Sequence, residues 1–234
     1  MQHLIFLLVG LNVITGMVVK DEKAAQGHGL ALRIDEATRR KETTLQSYSD
    51  LEHYTLHNSR LAKPAEMVVR AGYSTNRGKH FHVISAIGPS ILRNRVLKPL
   101  LKDEQYRSQS EGKRNSLIIS ANYRMRIIGK TAIHNQPCYI LDLAPKRKTK
   151  YLLVGRAWVL QDDYSLVRLE GKTAASVSFW SGKASIVREY EKVDGFWMPK
   201  TTQAITANLL TGRSTLVIDH GQYEIVGLSR KAGR

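Results

Sequence analysis

The stretch from Cys138 to Pro199 most constrains the fold, because it carries one short apolar run after another with a turn signal behind each. Tyr139, Leu141 and Leu143 share one parity, as do Trp158 with Leu160 and Val167 with Leu169, so each run puts apolar side chains on one face of a strand. Between the runs lie 145–150, Gln161-Asp162-Asp163, Ser181-Gly182-Lys183 and Asp194-Gly195, and Asp-Gly between apolar runs is a strong hairpin signal. Successive antiparallel hairpins are the economical reading.

Upstream the pattern changes. Leu30, Ile34, Ala37 and Lys41 stand at near-helical spacing, which predicts an amphipathic helix over 30–45. Strands are expected over 48–61, 65–74 and 79–87, from the alternation of Met67, Val69, Ala71 and Tyr73 and of Phe81 and Val83, with Gly78 turning the last hairpin. The segment 90–107 reads as a helix with Ser90 as its cap, Ile91, Leu92, Val96, Leu97, Leu100 and Leu101 as its apolar stripe, and Pro99 kinking or ending a turn. Residues 20–29, 108–115 and the tail from Ser229 are the candidate flexible segments.

Leu4 to Val19 is an apolar run stopped by Lys20-Asp21-Glu22-Lys23, short for a bilayer-spanning helix and suited to a signal peptide, although Met1-Gln2-His3 lacks the usual positive charge. The organisation expected is 1–28 as signal peptide or N-terminal anchor plus linker, 29–228 as one β-rich domain and 229–234 as a basic tail. Export to the periplasm follows from that leader. The sole cysteine, Cys138, forbids an internal disulfide and reads as a small buried hydrophobe.

A formal net charge of +16 calls for an anionic partner or a solubilising role. Lys146, Arg147, Lys148 and Lys150 fall in one expected hairpin loop, where they form a basic surface for an anionic membrane. No zinc-binding Cys and His pairs, helix-turn-helix or RNA-binding aromatic signature accompanies them, so nucleic acid is not expected and a polyanion-binding module is the minor alternative.

Catalytic signatures are sparse. His80 and His82 share a strand face, and His53 and His57 are four apart, but neither pair brings a third convergent ligand, so no metal is expected. Asp162 and Asp163 are explained by their turn, Ser85, Ser120 and Ser178 lack a Gly-x-Ser-x-Gly context, and Cys138 has no Cys-x-x-Cys partner. The expectation is a non-enzyme without cofactor.

YLLVGRAWVLQDDYSLVRLEG, then SFWSG, then REYEKVDGFWMPK give a Trp strand, an acidic turn, a Leu-Glu-Gly strand, an aromatic pair and a Gly-Phe-Trp-x-Pro turn. This series resembles the outer-membrane lipoprotein-sorting proteins of the LolA/LolB and RseB-like superfamily, over about Ser116 to Val226. The resemblance implies a mainly β (α+β) fold, a strongly curved antiparallel half-barrel whose concave side is covered by helices, with a cavity for acyl chains. Parity and resemblance together nominate Val69, Phe81, Val83, Tyr139, Leu141, Trp158, Leu160 and Phe179 as lining, Leu97 and Leu101 on the lid helix, and Arg70 as a lid latch. Implied partners are an acyl lipid or a lipoprotein, with an anionic membrane surface or a membrane-bound protein as further contacts, bound by a monomer. A carrier is the leading reading, and an RseB-like sensor that binds a signalling protein is the alternative.

Overall fold

The computed structural model describes residues 29–177, 182–208 and 212–227. The leader, Phe179, Trp180 and the basic tail therefore lie outside the described residues. Among the described residues ten antiparallel strands form one sheet that does not close into a barrel. They are β1 (Leu45–Asn58), β2 (Ala65–Ser74), β3 (Gly78–Ile87), β4 (Tyr123–Ile133), β5 (Gln136–Pro145), β6 (Leu153–Leu160), β7 (Leu166–Thr173), β8 (Ser185–Val193), β9 (Phe196–Asn208) and β10 (Gly212–Gly227). The order across the sheet is β3-β2-β1-β10-β9-β8-β7-β6-β5-β4. Every neighbour pair is a sequence neighbour except β1 with β10, which joins the two ends of the domain.

This order has a topological consequence. β3 and β4 follow one another in sequence yet occupy the two edges, so the chain between them must pass from one edge of the curved sheet to the other. That crossing is helical, through α2 (Ser90–Leu92), a π-helical turn (Arg93–Leu97), α3 (Lys98–Ser108) and α4 (Ser110–Ser116). Pro99 sits in the first turn of α3, where its missing N–H is tolerated, and the π-helical turn before it absorbs the distortion. Ser90 does not cap, since Pro89 occupies the cap position and no side chain bonds there. Most of 108–115, expected to be flexible, lies in α4, and the Asn122 side chain holds that helix's end by donating to the Arg114 and Leu117 carbonyls, each at 2.8 Å.

An N-terminal helix, α1, covers 29–44, as the Leu30-Ile34-Ala37-Lys41 spacing predicts. Thr43 and Thr44 end it by turning their hydroxyls back on the Arg39 and Arg40 carbonyls, at 3.1 and 2.7 Å. Leu30 and Ile34 drop into a cluster with Tyr123, Leu141, Leu143, Leu153, Ala157 and Leu169. The Asp35 carboxylate pins the helix by accepting from Ser120 N at 2.7 Å and from the Ser120 hydroxyl.

Hairpin chemistry follows the sequence closely. Asp194 and Gly195, at φ 48° and 86°, turn β8 into β9 with Val193 opposite Phe196, the left-handed pair that a two-residue hairpin needs. Asp162 and Asp163 spend their side chains on backbone N–H groups of Asp163 and Ser165, which confirms the turn reading. No helix among the described residues is long and apolar enough to cross a membrane.

Candidate ligand-binding cavity

β1 shows how the sheet builds two environments on one face. Asp50, Glu52, Tyr54 and Leu56 alternate along it and all are buried, so the same inward face is ionic at one end and apolar at the other. The apolar end joins Met67, Val69, Leu92, Leu97, Leu101, Leu216 and Ile218 in a second cluster, where the crossing helices seat on β1, β2 and β10. A third cluster gathers Cys138, Leu160, Val167 and Trp197. Between the edges of the three clusters remains a cavity of about 910 Å³, near the upper end of the ~300–1,000 Å³ usual for ligand sites. Ile34, Leu153 and Leu169 come to its wall from the first cluster, Tyr54 and Ile218 from the second, and Trp197 from the third. Leu117, Ile118, Leu166 and Ile186 widen the apolar part.

The ionic end is a buried network. The Lys79 ammonium bonds the Glu52 carboxylate and lies 3.6 Å from Glu104, Tyr54 donates its hydroxyl to Glu52, and Arg107 pairs with Glu104. His220 Nδ1 lies 2.9 Å from Asp50 Oδ2 and 3.5 Å from Glu52 Oε1. Burial would raise the Glu104 pKa, but Arg107, Lys79, Arg188 and His220 outweigh it and hold that carboxyl well below the usual range. Burial likewise opposes the charge on Lys79, yet Tyr48, Glu104, Glu52 and Asp50 push its pKa above the ordinary lysine value. Asp50, Glu52 and His220 bring ligand atoms within 4.8 Å of one another, as a metal would require. Lys79 already occupies Glu52, however, so the trio is compensated by a cation of the chain itself.

Because Glu104 titrates lower when folded than unfolded, its contribution to stability is present above the unfolded pKa of about 4.3 and disappears as pH falls through and below that value. Urea unfolding between pH 7 and pH 3 should therefore show an acid limb that is shallower in Glu104→Gln. An unchanged limb in that variant would refute the coupling.

The nominated residues fall in other places. Leu141 is fully buried beneath the cavity in the first cluster, with Tyr139 beside it stacked on Tyr164 at 6.0 Å. β5 pairs Tyr139 with Val159 and Leu141 with Ala157, so Trp158 and Leu160 are out of phase with them and belong to the third cluster. Val69, Leu97 and Leu101 are core of the second cluster, Phe81 packs against it half-buried, and Val83, opposite Val69 on the edge strand β3, is 44% exposed. None of these nine nominated lining and lid residues is in the cavity wall, where Val159 and Tyr164 stand instead. Arg70 alternates with the buried Val69 and Ala71 and is exposed, so it faces away from the helices, and Glu104 makes the link between helix and sheet instead. Lys146, Arg147 and Lys148 are exposed, but Arg147 bonds Asn122 Oδ1 and Lys150 reaches Asp103 at 2.7 Å, which leaves the basic loop partly tied to the fold. The ionic end escaped the sequence reading. Its only signal there was the parity of Asp50, Glu52, Tyr54 and Leu56.

No family model and no curated protein matches the sequence. Among solved structures the chain is similar to a LolA superfamily protein from Nitrosomonas europaea, at 15% identity and TM-score 0.49 over 86% of this chain and 96% of that one. It is also similar to a protein described as an outer membrane lipoprotein-sorting protein domain from Vibrio parahaemolyticus, at 12% identity and TM-score 0.49 over 88% of this chain and 94% of that one.

Proposed function

We propose that this protein is an exported, non-catalytic carrier that holds the acyl chains of a lipid or lipoprotein between the curved sheet and its helices. The cavity of about 910 Å³ carries this reading, since three apolar clusters border it and none fills it. Burial alone supplies the driving force: at about 0.8 kcal/mol per CH2, a chain of about twelve carbons gains roughly 9 kcal/mol before the costs of association. The lipoprotein-sorting description of the Vibrio protein agrees with that cargo class.

The test is native mass spectrometry and organic extraction of the protein from its exported fraction, with uptake of an uncharged apolar dye measured in parallel. Ile118 and Ile186 are half-buried wall residues, so Ile118→Asp and Ile186→Asp place a charge in the cavity without removing a fully buried core side chain. Dye uptake should fall at least tenfold in each, with the far-UV spectrum unchanged. Wild-type protein that carries no acyl species and takes up no dye would reject the carrier.

A second reading, an interaction module for a membrane-bound protein, draws on the free edge of the sheet. Val83, Ile84 and Ile87 on β3 and Ile91 just beyond it are 44–61% exposed along that unpaired edge.

A further inference from the structure

Charge divides the cavity unevenly. In its wall the lysines and arginines outnumber the aspartates and glutamates by eight to four. Lys79, Arg107, Lys113 and Lys150 have carboxylates of the chain as partners, and Arg40 and Lys192 are exposed to water. Two further cations, Lys41 and Arg188, are drawn inside. Lys41, on α1, makes its hydrogen bond to a neutral acceptor, the Trp197 carbonyl, and has no carboxylate within 4.0 Å among the described residues. Arg188, on β8, bonds the Thr202 hydroxyl at 2.8 Å and comes to 4.0 Å from a Glu104 engaged by Arg107 and Lys79; burial opposes its charge, but Tyr190, Glu104 and Glu52 outweigh that.

We propose that the cavity is selective for anionic amphiphiles: a carboxylate or phosphate head sits between Lys41 and Arg188 beside Trp197, and the alkyl tail runs toward Ile34, Leu153 and Leu169. This rests on the carrier reading and names the ligand class for it. Burial lowers the Lys41 pKa to about 8; Glu42 opposes that fall, and Arg188 and Lys113 deepen it. A group held in that way is a costly charge while the cavity is empty, and an entering anion relieves both its desolvation and its repulsion from Arg188. A carboxylate or phosphate also accepts charge-assisted hydrogen bonds from an ammonium and a guanidinium, which an uncharged head accepts more weakly.

Displacement of the uncharged dye by dodecanoate, dodecyl phosphate and dodecan-1-ol tests this on the whole chain. Wild-type protein should bind the better of the two anions at least tenfold more tightly than the alcohol, a difference of about 1.4 kcal/mol. Lys41→Met should remove most of that preference while leaving the alcohol within about twofold, and Lys41→Arg should restore it. The order of dodecanoate and dodecyl phosphate then distinguishes a fatty-acid head from a phospholipid head. Equal binding of alcohol and anions by the wild type, or equal loss of all three in Lys41→Met, overturns the proposal while the carrier stands. No dye uptake by the wild type overturns both.

Discussion

Lys79→Met is expected to destabilise the protein by roughly 3–5 kcal/mol, the cost of leaving a buried carboxylate without its cation. Glu52 has no exposed side-chain surface, and Lys79 is 9% exposed at the side chain, so water cannot replace the lost partner. Tyr54 still donates to Glu52, but a neutral hydroxyl does not compensate a charge, and His220 at 3.5 Å is already engaged by Asp50. The double variant Lys79→Met with Glu52→Gln removes both charges and should recover a large part of the loss, because a buried ion pair adds little over a neutral, well-packed replacement. Urea unfolding of the wild type, the single variants and the double variant forms the cycle that checks this. A single-variant loss below about 1 kcal/mol would mean that water or another group reaches Glu52, against the burial described.

Leu97→Ala should cost about 2–5 kcal/mol, the range for removing a large aliphatic side chain from a packed core. Leu97 ends the π-helical turn with no exposed surface, in a cluster shared with Tyr54, Leu56, Val69, Leu92, Leu101 and Ile218. It is thus the point at which the edge-to-edge crossing is fastened to β1, β2 and β10. The loss should appear in equilibrium unfolding and, by hydrogen exchange, as earlier opening of 90–108 than of β5–β7. Uptake of the apolar dye should be retained at temperatures where the variant is folded, since Leu97 is not in the cavity wall. Loss of uptake in a folded variant would show that Leu97 acts as a lid over the ligand.

Much of the fold was legible because its signals are local. The period-two runs of β2 and β5, the Asp194-Gly195 turn and the 3.6-residue spacing of α1 each depend on residues within a few positions of one another. Relative phase between strands is a different matter. Choosing Trp158 and Leu160 as partners of Tyr139 and Leu141 took the larger side chains of β6 for the inward ones, whereas the register seats Ala157 and Val159 there. A slip of one residue exchanges faces, and nothing within β6 itself decides it. Val83 keeps the phase of Phe81, opposite the buried Val69, yet is 44% exposed because β3 is an edge strand, and nothing in the alternation of Phe81 and Val83 tells which strand lies at the edge.

The sequence by itself determined a run of antiparallel hairpins with amphipathic helical segments before and among them, because hairpin turns and apolar periodicity act over short spans and survive in any context. Only the tertiary structure decided where the space was left and which charges face it. Lys41 on α1, Lys79 on β3, Glu104 on α3, Arg188 on β8 and His220 on β10 come from five separate elements. Their meeting depends on β1 pairing with β10 and on the helical passage between the two edges of the sheet, contacts between residues far apart in the chain.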